Sequence, residues 1–219
     1  MTYISSYTFP TSDRTIVDHI VLGVSLGGHA AWQCLIHDPR VSTAIVIIGC
    51  PDYVALMSDR ARLSKLPSWT DSGTPGAQFL GSKDFPLNLV KAVETFDPAG
   101  LFFGPIRTRT SQNFDEMPSQ DEQKRLVPLM SNTIKGKGIL NMAGGADKLV
   151  PYRCAEPFCR WLKKATASNG WFGDGSVHFE NLIYDGVGHE MSPEMAKEAN
   201  KFIIETLMQT DKNHGSSKI

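Results

Sequence analysis

The chain has 219 residues, 41% of them hydrophobic, which is enough to bury one sizeable core, so a single globular domain is the expectation. Its formal charge of -1, spread without long runs of one sign, excludes the electrostatic footprint of a nucleic-acid-binding protein. Cys34, Cys50, Cys154 and Cys159 have neither zinc-site spacing nor the density of a disulfide scaffold, and read as the reduced thiols of an intracellular protein.

Residues 1–13 lack the basic and apolar regions of a secretory signal, and no apolar run reaches the roughly 18 residues of a membrane span. Thr11 and Ser12 offer helix caps, and Ile16, Val17 and Ile20 recur at helical spacing, which predicts a helix over about residues 12–18. His19 to Val24 and Ser42 to Gly49 are short apolar runs rich in β-branched residues, as in parallel strands buried on both faces. Between them Ala30, Ala31, Cys34 and Leu35 give one helical apolar face, completing a β-α-β unit. The stretch 51–137 breaks this rhythm. It is rich in Pro and Gly yet carries Trp69, Phe79, Phe85, Phe96, Phe102, Phe103 and Phe114, too many large apolar residues for a disordered linker, and reads as an inserted cap. Gly138 to Met142 and Phe179 to Tyr184 repeat the strand signal around a helix near Tyr152 to Ala167. A last helix starts at Ser192-Pro193, with Met195, Ala199, Phe202, Ile203 and Leu207 on one face, and residues 210–219 form a polar tail. Alternating strands and helices define an α/β domain.

Gly23-Val24-Ser25-Leu26-Gly27 fits the G-x-S-x-G elbow, in which a tight strand-to-helix turn presents a serine hydroxyl at the carboxyl edge of a sheet. Glycines at both flanks avoid a Cβ clash with neighbouring elements, and the turn leaves the Leu26 backbone N–H at a helix N-terminus, able to stabilise an oxyanion. A serine hydroxyl needs a base oriented by a third group. Asp147, in Gly144-Gly145-Ala146-Asp147-Lys148-Leu149-Val150-Pro151, and His189, in Gly186-Val187-Gly188-His189-Glu190, follow in the order Ser, acid, His, each in a loop after a strand.

These three motifs together resemble the α/β-hydrolases, and within them the small esterase-like proteins related to the prolyl-oligopeptidase and dienelactone-hydrolase groups. The resemblance covers essentially the whole chain from the fifth strand of that fold onward. It implies Ser25 as nucleophile, His189 as general base and then acid, Asp147 as the group holding the imidazole tautomer, and Leu26 as an oxyanion donor, with neither metal nor cofactor. Asp52, after the second strand, is a rival acid, and Asp185, four residues before His189, reads as a strand-end residue. His19, His29, His37, His178 and His214 read as structural or surface groups. The cap aromatics are core first and acyl-pocket candidates second.

Similar hydrolases place several strands before the elbow, and the loop after the third donates a second oxyanion N–H. Here the serine is only the twenty-fifth residue, Ser25. The expectation is a C-terminal portion of the fold, its N-terminal strands absent, with an exposed apolar edge, poor stability and weak activity, since one lost oxyanion donor costs roughly 100- to 1000-fold in rate. At the other end Ser217-Lys218-Ile219 differs from the peroxisomal address Ser-Lys-Leu in its last residue, which implies a peroxisomal import receptor as partner; without that address the location is cytoplasmic. With this tail the chain resembles the peroxisomal α/β-hydrolases of fungal host-selective toxin clusters, involved in making epoxy-decatrienoic acid esters, which implies a medium-chain acyl ester or thioester as substrate. A serine peptidase of the prolyl-oligopeptidase type and a non-catalytic binding protein are the rival functions.

Overall fold

The computed structural model describes residues 4–11, 16, 18–71, 73–105 and 116–215, apart from the side chains of residues 5 and 209–215. Four parallel strands, β1 (His19–Val24), β2 (Val41–Ile47), β3 (Gly138–Gly144) and β4 (His178–Tyr184), form one sheet in the order β1-β2-β3-β4. The register runs Val24 opposite Ile47, Ile47 opposite Met142, and Gly144 opposite Tyr184, so the strands end together at one edge. β2 is buried along nearly its whole length. Its apolar side chains alternate between two cores: Ala44 and Val46 join one hydrophobic cluster, Ile45 and Ile47 another. Each isoleucine taken out of water contributes roughly 1.5–3 kcal/mol, so this strand holds both layers.

The first cluster is covered by α2 (Leu26–His37), α7 (Gln120–Thr133) and α8 (Glu156–Thr166). Trp32 of α2 meets Phe158 of α8 edge to face at 5.6 Å, and Leu126 and Met130 of α7 are buried in the same core. The second cluster is covered by α9 (Pro193–Gly215) through Met195, Ala199 and Phe202. α9 starts as its sequence predicts, with Ser192 Oγ accepting from the Met195 N–H at 3.3 Å and proline at the first helical position, and it extends to Gly215, across the start of the polar stretch from Thr210.

Between β2 and β3 lie α3 (Tyr53–Leu63), α4 (Pro67–Thr70), α5 (Leu87–Phe96) and α6 (Pro98–Phe103), then α7. Val54, Ala61, Phe79, Phe85 and Val93 form a third cluster of their own, which gives Phe79 and Phe85 a packing role, whereas Phe96 is exposed. Phe114 lies outside the described residues. Of the expected helix over 12–18, residues 12–15 and 17 lie outside the described residues; Ile16 and Asp18 are not helical, and α1 is Ile4–Thr8. Asp18 spends its carboxylate on the His19 N–H and the Ser42 hydroxyl, side-chain bonds that compete with helical ones.

At the opposite end of α2 the Lys137 ammonium, buried by the sheet, donates to the Leu35 carbonyl at 2.6 Å and the Asp38 carbonyl at 3.1 Å. It caps the helix C-terminus, and its burial lowers its pKa. All four cysteines are free. Among the described residues no helix is long and apolar enough to cross a membrane, and no group of His, Cys, Asp and Glu could hold a metal ion.

Candidate active site

Ser25 stands between β1 and α2 with φ 56° and ψ -116°, a backbone conformation that L-residues seldom adopt. Its N–H donates to the Ile47 carbonyl at 2.9 Å, tying the turn to the end of β2. A Cβ at Gly23 would lie 1.9 Å from the Gly27 carbonyl oxygen, so the entering strand must carry glycine there. The other flank differs from expectation. A Cβ at Gly27 would meet nothing within 4 Å, whereas one at Gly28 would lie 2.9 Å from the Gly49 Cα. The close approach of α2 to the sheet falls one residue later than the motif suggests.

The carboxyl ends of β3 and β4 bring in two more loops. The Gly145 and Ala146 N–H groups donate to the Tyr184 and Val187 carbonyls at 2.8 and 2.9 Å, and a Cβ at Gly144 would clash with the Val187 carbonyl at 2.5 Å. Zipped together in this way, the loops place His189 Nδ1 2.8 Å from Asp147 Oδ2 and His189 Nε2 2.8 Å from Ser25 Oγ. The other carboxylate oxygen, Oδ1, accepts from the Leu149 and Val150 N–H groups at 2.8 and 2.9 Å. The Asp147 side chain is fully buried and that of His189 is 25% exposed. A carboxylate only accepts, so Nδ1 carries the proton and Nε2 is left to accept from the Ser25 hydroxyl. Such an arrangement can draw the serine proton away as its oxygen attacks an electrophile. Leu26 opens α2, and among the described residues its N–H has no acceptor, as the first N–H of a helix normally lacks one.

The rival groups are occupied elsewhere. Asp52 caps α3, accepting from the Ala55 N–H at 2.9 Å, and Asp185 is exposed. His37 Nε2 lies 2.7 Å from the Phe96 carbonyl, and His178 pairs with Glu180 at 2.9 Å and stacks on Phe202. His19 opens β1, and the side chain of His214 lies outside the described residues. His29 has a more specific place than its sequence position suggests. One turn after Ser25, its Nδ1 accepts from the Cys50 N–H at 3.0 Å and lies 2.8 Å from the Cys50 carbonyl, clamping α2 to the loop after β2. Burial lowers its pKa, favouring the neutral ring. That loop is itself held in an unusual form, with Ile48 at φ 46° and its N–H donating to the Met142 carbonyl at 2.7 Å. No sequence signal marks Ile48. For His29 the signal is its position one helical turn beyond the serine.

Parallel strands, a strained serine and the helix that follows match an α/β-hydrolase-like fold. No family model matches the chain, and neither does any curated protein. Among solved structures it is similar to a variant of SOBER1 from Arabidopsis thaliana, at 13% identity and a TM-score of 0.41, over 86% of this chain and 53% of that one. It is similar to an esterase of Pyrococcus furiosus at 15% identity and a TM-score of 0.43, over 93% of this chain and 57% of the other. Acetyl xylan esterase 1 from Thermoanaerobacterium is similar at 16% identity and a TM-score of 0.38, over 85% and 44%. The chain spans about half the length of these structures.

Proposed function

We propose that this chain is a serine hydrolase that cleaves carboxylic ester or thioester bonds. One observation carries the reading: the unbroken hydrogen-bonded chain Ser25 Oγ to His189 Nε2 and His189 Nδ1 to Asp147 Oδ2, both links 2.8 Å. In the proposed reaction Ser25 Oγ attacks the carbonyl carbon while His189 Nε2 takes its proton, and the Leu26 N–H donates to the oxyanion. Collapse expels the alcohol or thiol, which receives the proton from His189. Water then attacks the acyl-serine with His189 again as base, releasing a carboxylate and restoring Ser25. Asp147 stays ionised and holds the ring in place.

We read residues 51–137, in which Val54, Ala61, Phe79, Phe85 and Val93 form a separate cluster, as an inserted cap. The finer reading is a medium-chain acyl substrate within fungal secondary metabolism and import into peroxisomes. It rests on the tail Ser217-Lys218-Ile219, which lies outside the described residues; a reporter protein bearing this tail tests it and should concentrate in peroxisomes. The hydrolase itself is tested by fluorophosphonate labelling followed by intact mass. The chain should gain one phosphonyl adduct and Ser25→Ala none. Folded protein that never labels would overturn the reading and leave a binding protein in its place.

A further inference from the structure

At the opposite edge of the sheet, the loop entering β4 folds back onto the last turn of α8. The Phe172 N–H donates to the Ala165 carbonyl at 2.9 Å and the Gly170 N–H to the Ala167 carbonyl at 2.7 Å. A Cβ at Gly170 would sit 2.3 Å from the Lys164 carbonyl oxygen, so the loop closes on the helix only because this residue has no side chain. The closure sets the Trp171 ring 6.1 Å from that of Trp161, tilted by 55°. Trp161 is anchored in turn against Phe102, Phe103 and Phe158, which makes it a rigid floor.

Beside these two rings is a cavity of about 590 Å³, also lined by Arg160, Lys163, Lys164 and Glu116. The three basic side chains are exposed, and Arg160 lies 3.6 Å from Glu156. Cations in the last turn complement a helix dipole wherever they occur. That role does not account for a preformed aromatic cavity among them, of a size that holds a small organic ligand. β4 separates this loop from the His189 end of the sheet by roughly 20 Å at about 3.3 Å per residue, so the cavity is not part of the Ser25 site.

We propose that this cavity binds a small aromatic anion, its flat ring against Trp171 and its charge among the ammonium and guanidinium groups of Lys163 and Arg160. The Trp171 indole favours a planar partner, and a rim with Arg160, Lys163 and Lys164 against Glu116 and Glu156, the latter paired with Arg160, favours a negative one over a neutral one. The inference does not depend on the proposed hydrolysis.

Isothermal titration calorimetry of the full chain with 1-naphthoate tests it, alongside 1-naphthalenemethanol, its uncharged analogue, and octanoate, an anion without a ring. Naphthoate should bind once per chain, and at least about fivefold more tightly than the uncharged analogue. Trp171→Ala should weaken it by about tenfold and Lys163→Glu several-fold, while Ser25→Ala leaves it unchanged. Lys163 is exposed, so the second variant reports on binding even if truncating Trp171 disturbs the loop. Absence of saturable binding to the folded chain would overturn the proposal. So would octanoate binding as tightly as naphthoate, or binding indifferent to both cavity variants.

Discussion

Gly28 and Gly49 meet backbone to backbone: a Cβ on Gly49 would fall 2.7 Å from the Gly28 carbonyl carbon, and one on Gly28 2.9 Å from the Gly49 Cα. This contact seats α2 on the sheet and so fixes where Ser25 stands. Gly49→Ala should destabilise the fold by about 1–3 kcal/mol and slow fluorophosphonate labelling as well, because neither backbone can yield without moving the elbow. Gly27→Ala, one residue from the contact, should be neutral or stabilising by up to about 1 kcal/mol, since its Cβ enters open space at a helical position. Urea unfolding of the two variants checks the contrast, and equal destabilisation would refute it.

Asp147 is held by two backbone N–H groups on one oxygen and by His189 on the other. Asp147→Asn keeps the size of the side chain but can offer an N–H towards Nδ1, favouring the wrong imidazole tautomer. Labelling of Ser25 should fall by roughly 10⁴-fold, with the fold retained. A modest loss, under about tenfold in single-turnover labelling rate, would mean that the tautomer is set by something else.

The low pKa of His29 has a consequence for stability. Burial favours its neutral form in the folded state, while the unfolded ring keeps its ordinary value of 6.5. As pH falls below 6.5 the unfolded chain binds more protons than the folded one, so stability falls, and it continues to fall until the folded ring also protonates. His29→Asn should flatten the slope of melting temperature against pH between about 6.5 and 5. An unchanged slope would place the acid sensitivity in other groups.

Lys137 caps α2 from the interior of the fold. Lys137→Met fills the space but leaves the Leu35 and Asp38 carbonyls without that donor, so chemical denaturation should show a loss of about 1–3 kcal/mol. Stability equal to the unaltered chain would show that water replaces the ammonium at no cost.

Much of this was legible in the sequence because it is written in short-range patterns. The β-branched run of β2 gives both a strand and its burial, and the elbow, Asp147 and His189 each follow a strand that periodicity reveals. What was not legible depends on partners distant in the chain. At the end of the helix expected over 12–18, nothing local signalled that Asp18 would serve Ser42, and the steric demand fell on Gly28 because Gly49, invisible to a local motif, lies against it. His29 gave no hint that the Cys50 backbone would occupy its ring nitrogen, nor Gly170 that Trp171 would be folded back over α8.

The hydrogen bond between Ser25 and His189 joins residues 164 apart in the chain, and the one between His189 and Asp147 joins residues 42 apart. Between these contacts every strand of the sheet must have taken its place, because each of the three residues is carried at a strand's carboxyl end. Serine reactivity therefore reports on assembly as well as on chemistry: it can arise only in molecules whose long-range pairings are complete. In a denaturant series the fraction that labels should follow the loss of sheet rather than local fraying of α9. Ser25, the proposed nucleophile, would in that sense be a built-in probe of global folding, silent in any partly assembled intermediate.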